Sequence, residues 1–135
     1  MKNGTVIIKC SDYEEGATSV FIHADNCLWS GGLTFYIDDK NLQSFFDKLL
    51  EYQGNADSAT LEYGEPNDKW AYYIKLEVKP KDKLGHASLN IHFIDNSLNK
   101  GSVELAITCT QPEVNELGRL IKKSYLQKTE EIWEV

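Results

Sequence analysis

The segment Trp29-Ser30-Gly31-Gly32-Leu33-Thr34-Phe35-Tyr36-Ile37 runs straight into Asp38-Asp39 and then into Leu42, Phe45, Phe46, Leu49 and Leu50. Apolar alternation up to Ile37 is the pattern of a strand with one buried face. The glycine pair near its start reads as a structural bulge or bend. The carboxylates that follow suit a helix N-terminus, where backbone N–H groups lack intrahelical acceptors. The apolar spacing then changes to i, i+3, i+4, i+7, i+8, which lays one stripe along a helix from Asp39 to Tyr52. Gly54-Asn55 supplies the stop. A strand leading through a cap into an amphipathic helix has two apolar surfaces to bury, and the rest of the chain must provide their partners.

Seven strands and two helices are expected in all. Thr5–Cys10 and Thr18–Ala24 precede the third strand, Leu28–Ile37. After the helix come Ser58–Tyr63, Lys69–Lys79, His86–Asp95 and Ser102–Cys109, joined by short pieces rich in Gly, Pro, Asn and Asp. Such connections make hairpins, so these strands form an antiparallel meander. Thr110-Gln111-Pro112-Glu113 has the form of a capping box with proline in the first turn. Val114, Leu117, Leu120, Ile121 and Tyr125 give the second helix its stripe. Gly118 interrupts it at a propensity cost of about 1 kcal/mol, which points to close packing against the sheet or to simple tolerance.

Period-two parity separates the faces of the meander. Leu61, Tyr63, Trp70, Tyr72, Ile74, Leu76, Val78, Ala87, Leu89, Ile91, Phe93, Val103, Leu105 and Ile107 share one face. Thr60, Glu62, Tyr73, Lys75, Glu77, Ser88, Asn90, His92, Glu104 and Thr108 share the other. The expected fold is α+β, an antiparallel sheet of about seven strands including the four-strand meander, with two helices packed on one face and the opposite face solvated. Residues 1–135 read as a single globular domain.

The charge balance narrows the function. The chain carries 21 acidic against 14 basic residues, a formal net charge of −7. Nucleic-acid affinity comes from Lys and Arg neutralising phosphates, so direct nucleic-acid binding is not expected, nor is attraction to an anionic membrane. Acidity serves solubility in most proteins; where it serves recognition, the partner is basic. The apolar run Val6-Ile7-Ile8 is far shorter than an export signal or a membrane span, so a cytoplasmic location is expected.

The usual catalytic motifs are missing: no G-x-G-x-x-G, no phosphate-binding G-K-[ST], no G-x-S-x-G and no H-E-x-x-H. Cys10, Cys27 and Cys109 form no C-x-x-C pair and read as free thiols. His86 and His92 share a strand face about 20 Å apart, too far to act together. His92 beside Glu104 or Glu77, like His23 near Asp25, is more simply a solvated neighbour than an acid/base pair. Asp12, Glu14, Glu15 and Asp25, and Glu65 with Asp68, follow no calcium-loop spacing. No enzyme activity, metal or cofactor is expected. Trp70 and Trp29 share parity with core residues and read as core or core edge. Trp133, in the acidic tail, reads as docking on its own domain in preference to a partner.

Trp29–Ile37 followed by the helix with Phe45-Phe46 and Leu49-Leu50 resembles the small bacterial immunity proteins of wall-associated and contact-dependent toxin systems, the WapI-type family. The order of elements, strands, helix, long meander and C-terminal helix, fits over most of the chain. The resemblance implies a cytoplasmic protein that binds and blocks a cognate toxin domain, often a nuclease, without catalysis or cofactor. It carries over no binding residues. From parity and residue type, the expected partner-binding patch is the polar sheet face at Glu62, Tyr73, Glu77, His92 and Glu104, an aromatic among carboxylates. The alternative is a small-ligand binding domain with a pocket between sheet and helices, lined by Trp29, Phe35, Tyr72 and Phe45.

Overall fold

Among the described residues the alternating stretches form strands, apart from Leu28 and Trp29, and both helical stripes coil. The computed structural model describes residues 2–54, 58–67, 71–97 and 100–135. Within these the order is β1 (Thr5–Glu14), β2 (Ala17–Asp25), β3 (Ser30–Asp38), α1 (Asp39–Glu51), β4 (Ala59–Gly64), β5 (Tyr72–Pro80), β6 (His86–Asp95), β7 (Gly101–Thr110), α2 (Gln111–Gln127) and β8 (Glu130–Glu134). The fold is α+β and antiparallel throughout, as expected, with eight strands among the described residues instead of seven. They divide between two four-stranded sheets, ordered β3-β2-β1-β8 and β4-β5-β6-β7. The helix stop at Asn55, the pairing of Glu65 with Asp68, the strand start at Lys69 and the core position of Trp70 rest on residues outside the described ones.

The added strand is the acidic tail. Glu130–Glu134 pairs with β1, which turns Trp133 inward until it is 2% exposed. The indole Nε1 donates to the Glu113 carbonyl at 2.8 Å, so the tail docks on its own domain. Pairing stops where α2 takes over: the buried Ser124 hydroxyl accepts from the Cys10 N–H at 2.8 Å and donates to the Thr129 carbonyl at 2.6 Å. One hydroxyl thus satisfies the next backbone donor of β1 and fixes where β8 begins.

The glycine pair turns out to be neither bulge nor bend. Gly31 pairs with Ala24 and Gly32 with His23 in unbroken register, while the irregularity in this sheet falls between Asp12 and Glu14. A Cβ on Gly31 would come within 2.5 Å of a Val103 methyl, so the glycine lets β3 approach β7. The two facing edges are closed by side chains. The Tyr72 hydroxyl accepts from the Tyr36 N–H at 3.0 Å and donates to the Tyr36 carbonyl at 2.8 Å. Asn3 and Asn26 amides donate to the Thr108 and Ala106 carbonyls of β7. Exposed edge hydrogen-bonding groups invite pairing with other chains, and these contacts occupy them.

Asp38 caps α1, accepting from the Asn41 N–H at 3.1 Å, and Thr18 donates to Asp39 at 2.6 Å, tying the helix start to β2. Gly54 does not end this helix. Tyr52 leaves the helical conformation first, and the Asn115 amide of α2 donates to the carbonyls of Leu49, Leu50 and Tyr52. In α2 the Thr110 N–H donates to Glu113 at 2.9 Å, the expected reach-back of a capping box. Leu42, Phe45, Phe46 and Leu49 join Val114, Leu117 and Ile121 and the inner faces of both sheets in one apolar cluster.

Gly118 is buried where the helices cross. A Cβ there would lie 2.8 Å from the Leu49 Cβ and 2.9 Å from the Leu50 backbone nitrogen. Propensity alone would make Gly118→Ala stabilising by about 1 kcal/mol. The contact reverses the sign, because overpacking costs about 1–3 kcal/mol and backbone cannot rotate away. Gly118→Ala is expected to lower the chemical denaturation midpoint. The thiols give a second check. Cys10 and Cys109 are buried, with burial pushing Cys109 up to about 12, while Cys27 is exposed and all three are unpaired. A thiol reagent at neutral pH should modify Cys27 alone in the folded protein and all three cysteines after denaturation.

Candidate functional site

The outward positions of β4–β7 line up in rows across the second sheet, because antiparallel register sets same-face residues side by side. One row reads Glu62, Lys75, His92, Glu104 and the next Thr60, Glu77, Asn90, Ala106. Tyr73 stands between Gly64 and Ile94 in the row beyond Lys75. All the expected partner-binding residues, Glu62, Tyr73, Glu77, His92 and Glu104, are therefore brought together on one face. With Lys75, Lys79, Asn90 and Ala106, four of them (Tyr73, Glu77, His92 and Glu104) line an open groove of about 570 Å³.

Tyr73 is the centre of the arrangement. Although it belongs to the outward parity, its side chain is covered, leaving it 5% exposed. Its hydroxyl donates to a Glu62 carboxylate oxygen, and the His92 ring meets its ring edge-on at 5.4 Å between centroids. His92 Nδ1 lies 3.5 Å from Glu104. Glu77 accepts from the Thr60 hydroxyl at 3.4 Å and faces Lys79 at 3.4 Å. The face is mixed in charge: Lys75 sits between Glu62 and His92 across the sheet, and along β5 Lys75 and Lys79 flank Glu77. Cross-strand neighbours of opposite charge attract, whereas like charges directly opposite destabilise a sheet.

Burial, followed by the hydrogen bond to the carboxylate of Glu62, pushes the Tyr73 phenol up to about 12 from its ordinary 10. The neutral form is thus favoured more in the folded than in the unfolded chain. This contribution to stability is complete below pH 10 and is lost as pH rises from 10 to about 12. An ultraviolet phenolate titration of the folded protein should show a late-ionising tyrosine, and Tyr73→Phe should remove that phase.

The residues suggested for a ligand pocket do not assemble into one. Phe35 and Phe45 are fully buried core, and Tyr72 spends its hydroxyl on the β3 backbone. Trp29, expected at the core by parity, is 68% exposed in the β2–β3 turn. The strand parity ends at Ser30, and Asn26 closes a turn around Leu28 and Trp29. Its carboxamide oxygen accepts from the N–H groups of Leu28 and Trp29 at 3.1 and 2.8 Å. Asp25-Asn26 was the available signal, since side chains of this kind fold back on the following backbone. Sequence reasoning also missed the outward Tyr13 and Tyr36 of the first sheet, which stack at 4.2 Å.

Among the described residues no group of three or more His, Cys, Asp or Glu is placed to hold a metal ion, and no helix is long and apolar enough to cross a membrane. No family model matches the chain, and no curated protein is similar to it in sequence. Among solved structures, the chain is similar in fold to the plant transcriptional regulator PBF-2, with a TM-score of 0.55 and 11% sequence identity over 94% of this chain and 80% of that one. At this identity the likeness concerns the fold alone.

Proposed function

We propose that this chain is an immunity protein, one that binds a cognate bacterial toxin domain of basic charge, such as a nuclease, and neutralises it by occupying its surface without catalysis. The observation that carries the reading is the setting of Tyr73 among Glu62, His92 and Glu104 on an open sheet face. Tyr73 is already covered, so its part is to hold the carboxylates and the His92 ring around it in fixed positions, which presents a preorganised polar face to a partner. The net charge of −7 supports it, since a toxin that works on nucleic acid needs cationic surface to do so. The order of elements on which the family resemblance rests is also present in the fold.

Charges of both signs on the face divide the labour. Long-range attraction comes from the whole chain's negative charge, while Lys75 and Lys79, which flank Glu77 along β5, set the register of docking and reject partners with the wrong pattern. The transcriptional role in the name of PBF-2 is not extended to this chain, because its acidity opposes phosphate contact. A cytoplasmic setting belongs to the same proposal.

The test is co-purification with the product of the gene immediately upstream, followed by charge reversal. Glu77→Lys with Glu104→Lys should slow association about tenfold at low salt and flatten its salt dependence, with folding unchanged. An unchanged on-rate together with undiminished protection of cells would remove this face from the interface.

A further inference from the structure

Leu28 and Trp29 are adjacent in the chain and stand 85% and 68% exposed at the tip of the β2–β3 turn. Side chains of this size are usually covered, and their backbone here is held in place. Besides the two bonds to its carboxamide oxygen, Asn26 donates its own N–H to the Trp29 carbonyl at 3.0 Å. The Asp25 carboxylate accepts from the Cys27 N–H at 2.6 Å and Cys27 takes a left-handed φ of 75°, a conformation that costs a non-glycine residue free energy. The turn is also tied down from outside. The Asn26 amide donates to the Ala106 carbonyl of β7 at 3.2 Å, and the Cys27 thiol to the Lys2 carbonyl at 3.6 Å.

Ala106 lines the groove of the second sheet, and Glu104 is its same-face neighbour on β7. The tip is therefore continuous with the face described above, an apolar projection beside a charged floor. We infer that Leu28 and Trp29 are the apolar anchor of the partner interface, inserting into a pocket on the bound protein that is flanked by lysine or arginine. The inference rests on the proposed function and names what that face lacks, a large side chain free to be buried on binding. Tryptophan is among the residues most enriched at energetic centres of interfaces, and an anchor already fixed in the free protein loses little entropy on docking. Carboxylates beside the anchor match the cationic rim of such a pocket.

The probe is the toxin domain encoded by the gene immediately upstream, measured against wild type, Leu28→Ala/Trp29→Ala and Glu77→Lys/Glu104→Lys. Both tip residues are exposed, so circular dichroism and the melting temperature should not change. The tip variant should bind at least about 30-fold more weakly, through faster dissociation, whereas charge reversal acts on association. Trp29 emission, read as wild type minus Trp29→Phe, should move to shorter wavelength in the complex. If wild type and the tip variant bind equally, the anchor is refuted and the immunity reading stands. If wild type does not bind the domain, both fall together. Wild-type binding to phosphatidylcholine vesicles that is lost in the tip variant would assign the tip to a lipid surface and overturn the inference.

Discussion

Gly118 brings α2 so near α1 that a single added methyl would press on Leu49 and the Leu50 backbone. At that separation Asn115 reaches the last carbonyls of α1 and replaces the glycine cap that the helix lacks. The pairing of helices then carries outward. α1 rests on β3 and β4, and α2 on β1 and β8, so a shift between helices would be felt in both sheets. Ser124, farther along α2, holds the first backbone donor of β1 beyond the reach of β8. Removing the side chain of one residue is what allows polar groups on its neighbours to do the work of caps and edges.

Period and parity made most of the elements legible. The alternation of His86–Asp95 gives β6 its observed bounds, and the Phe45 and Leu49 stripe faces the core as its spacing implies. Parity says which residues share a face but is silent on which sheet a strand joins. Division into two sheets was therefore out of reach, because it depends on the close approach at Gly31 and on β8 choosing β1. The tail was read as docking, yet its strand character was hidden by the spacing of Glu130, Glu131 and Glu134, whose charges disguise the inward Trp133. Trp29 misled because parity was carried across a turn, where it has no meaning. Rows across the second sheet are legible to the extent that hairpin register is, and Glu62, Tyr73, Glu77, His92 and Glu104 do share one face. The burial of Tyr73 is not legible, since its neighbours Glu62 and His92 come from the strands on either side, β4 and β6.

The face that results is a mosaic more than an acidic plate. Along one row Glu62 faces Lys75, Lys75 faces His92 and His92 faces Glu104, so each charge has a neighbour of opposite sign or a ring beside it. Side chains already satisfied in the free protein must exchange partners when another surface arrives, and exchange favours complementarity of pattern over net charge. Apolar area at the groove itself is small, so under the proposed function the strength of binding would come from beyond its rim.

β8 bears on how the molecule comes into being. β1 is an inner strand of its sheet, flanked by β2 made soon after it and by β8 made near the end of the described chain. During synthesis the first three strands can pair as they emerge, but one side of β1 has no partner until α2 and the segment after it have been added. Contacts between residues so far apart in sequence form late and slowly. Trp133 and the Ser124 bridge therefore act as a latch thrown at the end, and a shortened product of the ribosome that ends before Glu130 would keep an open apolar seam along β1.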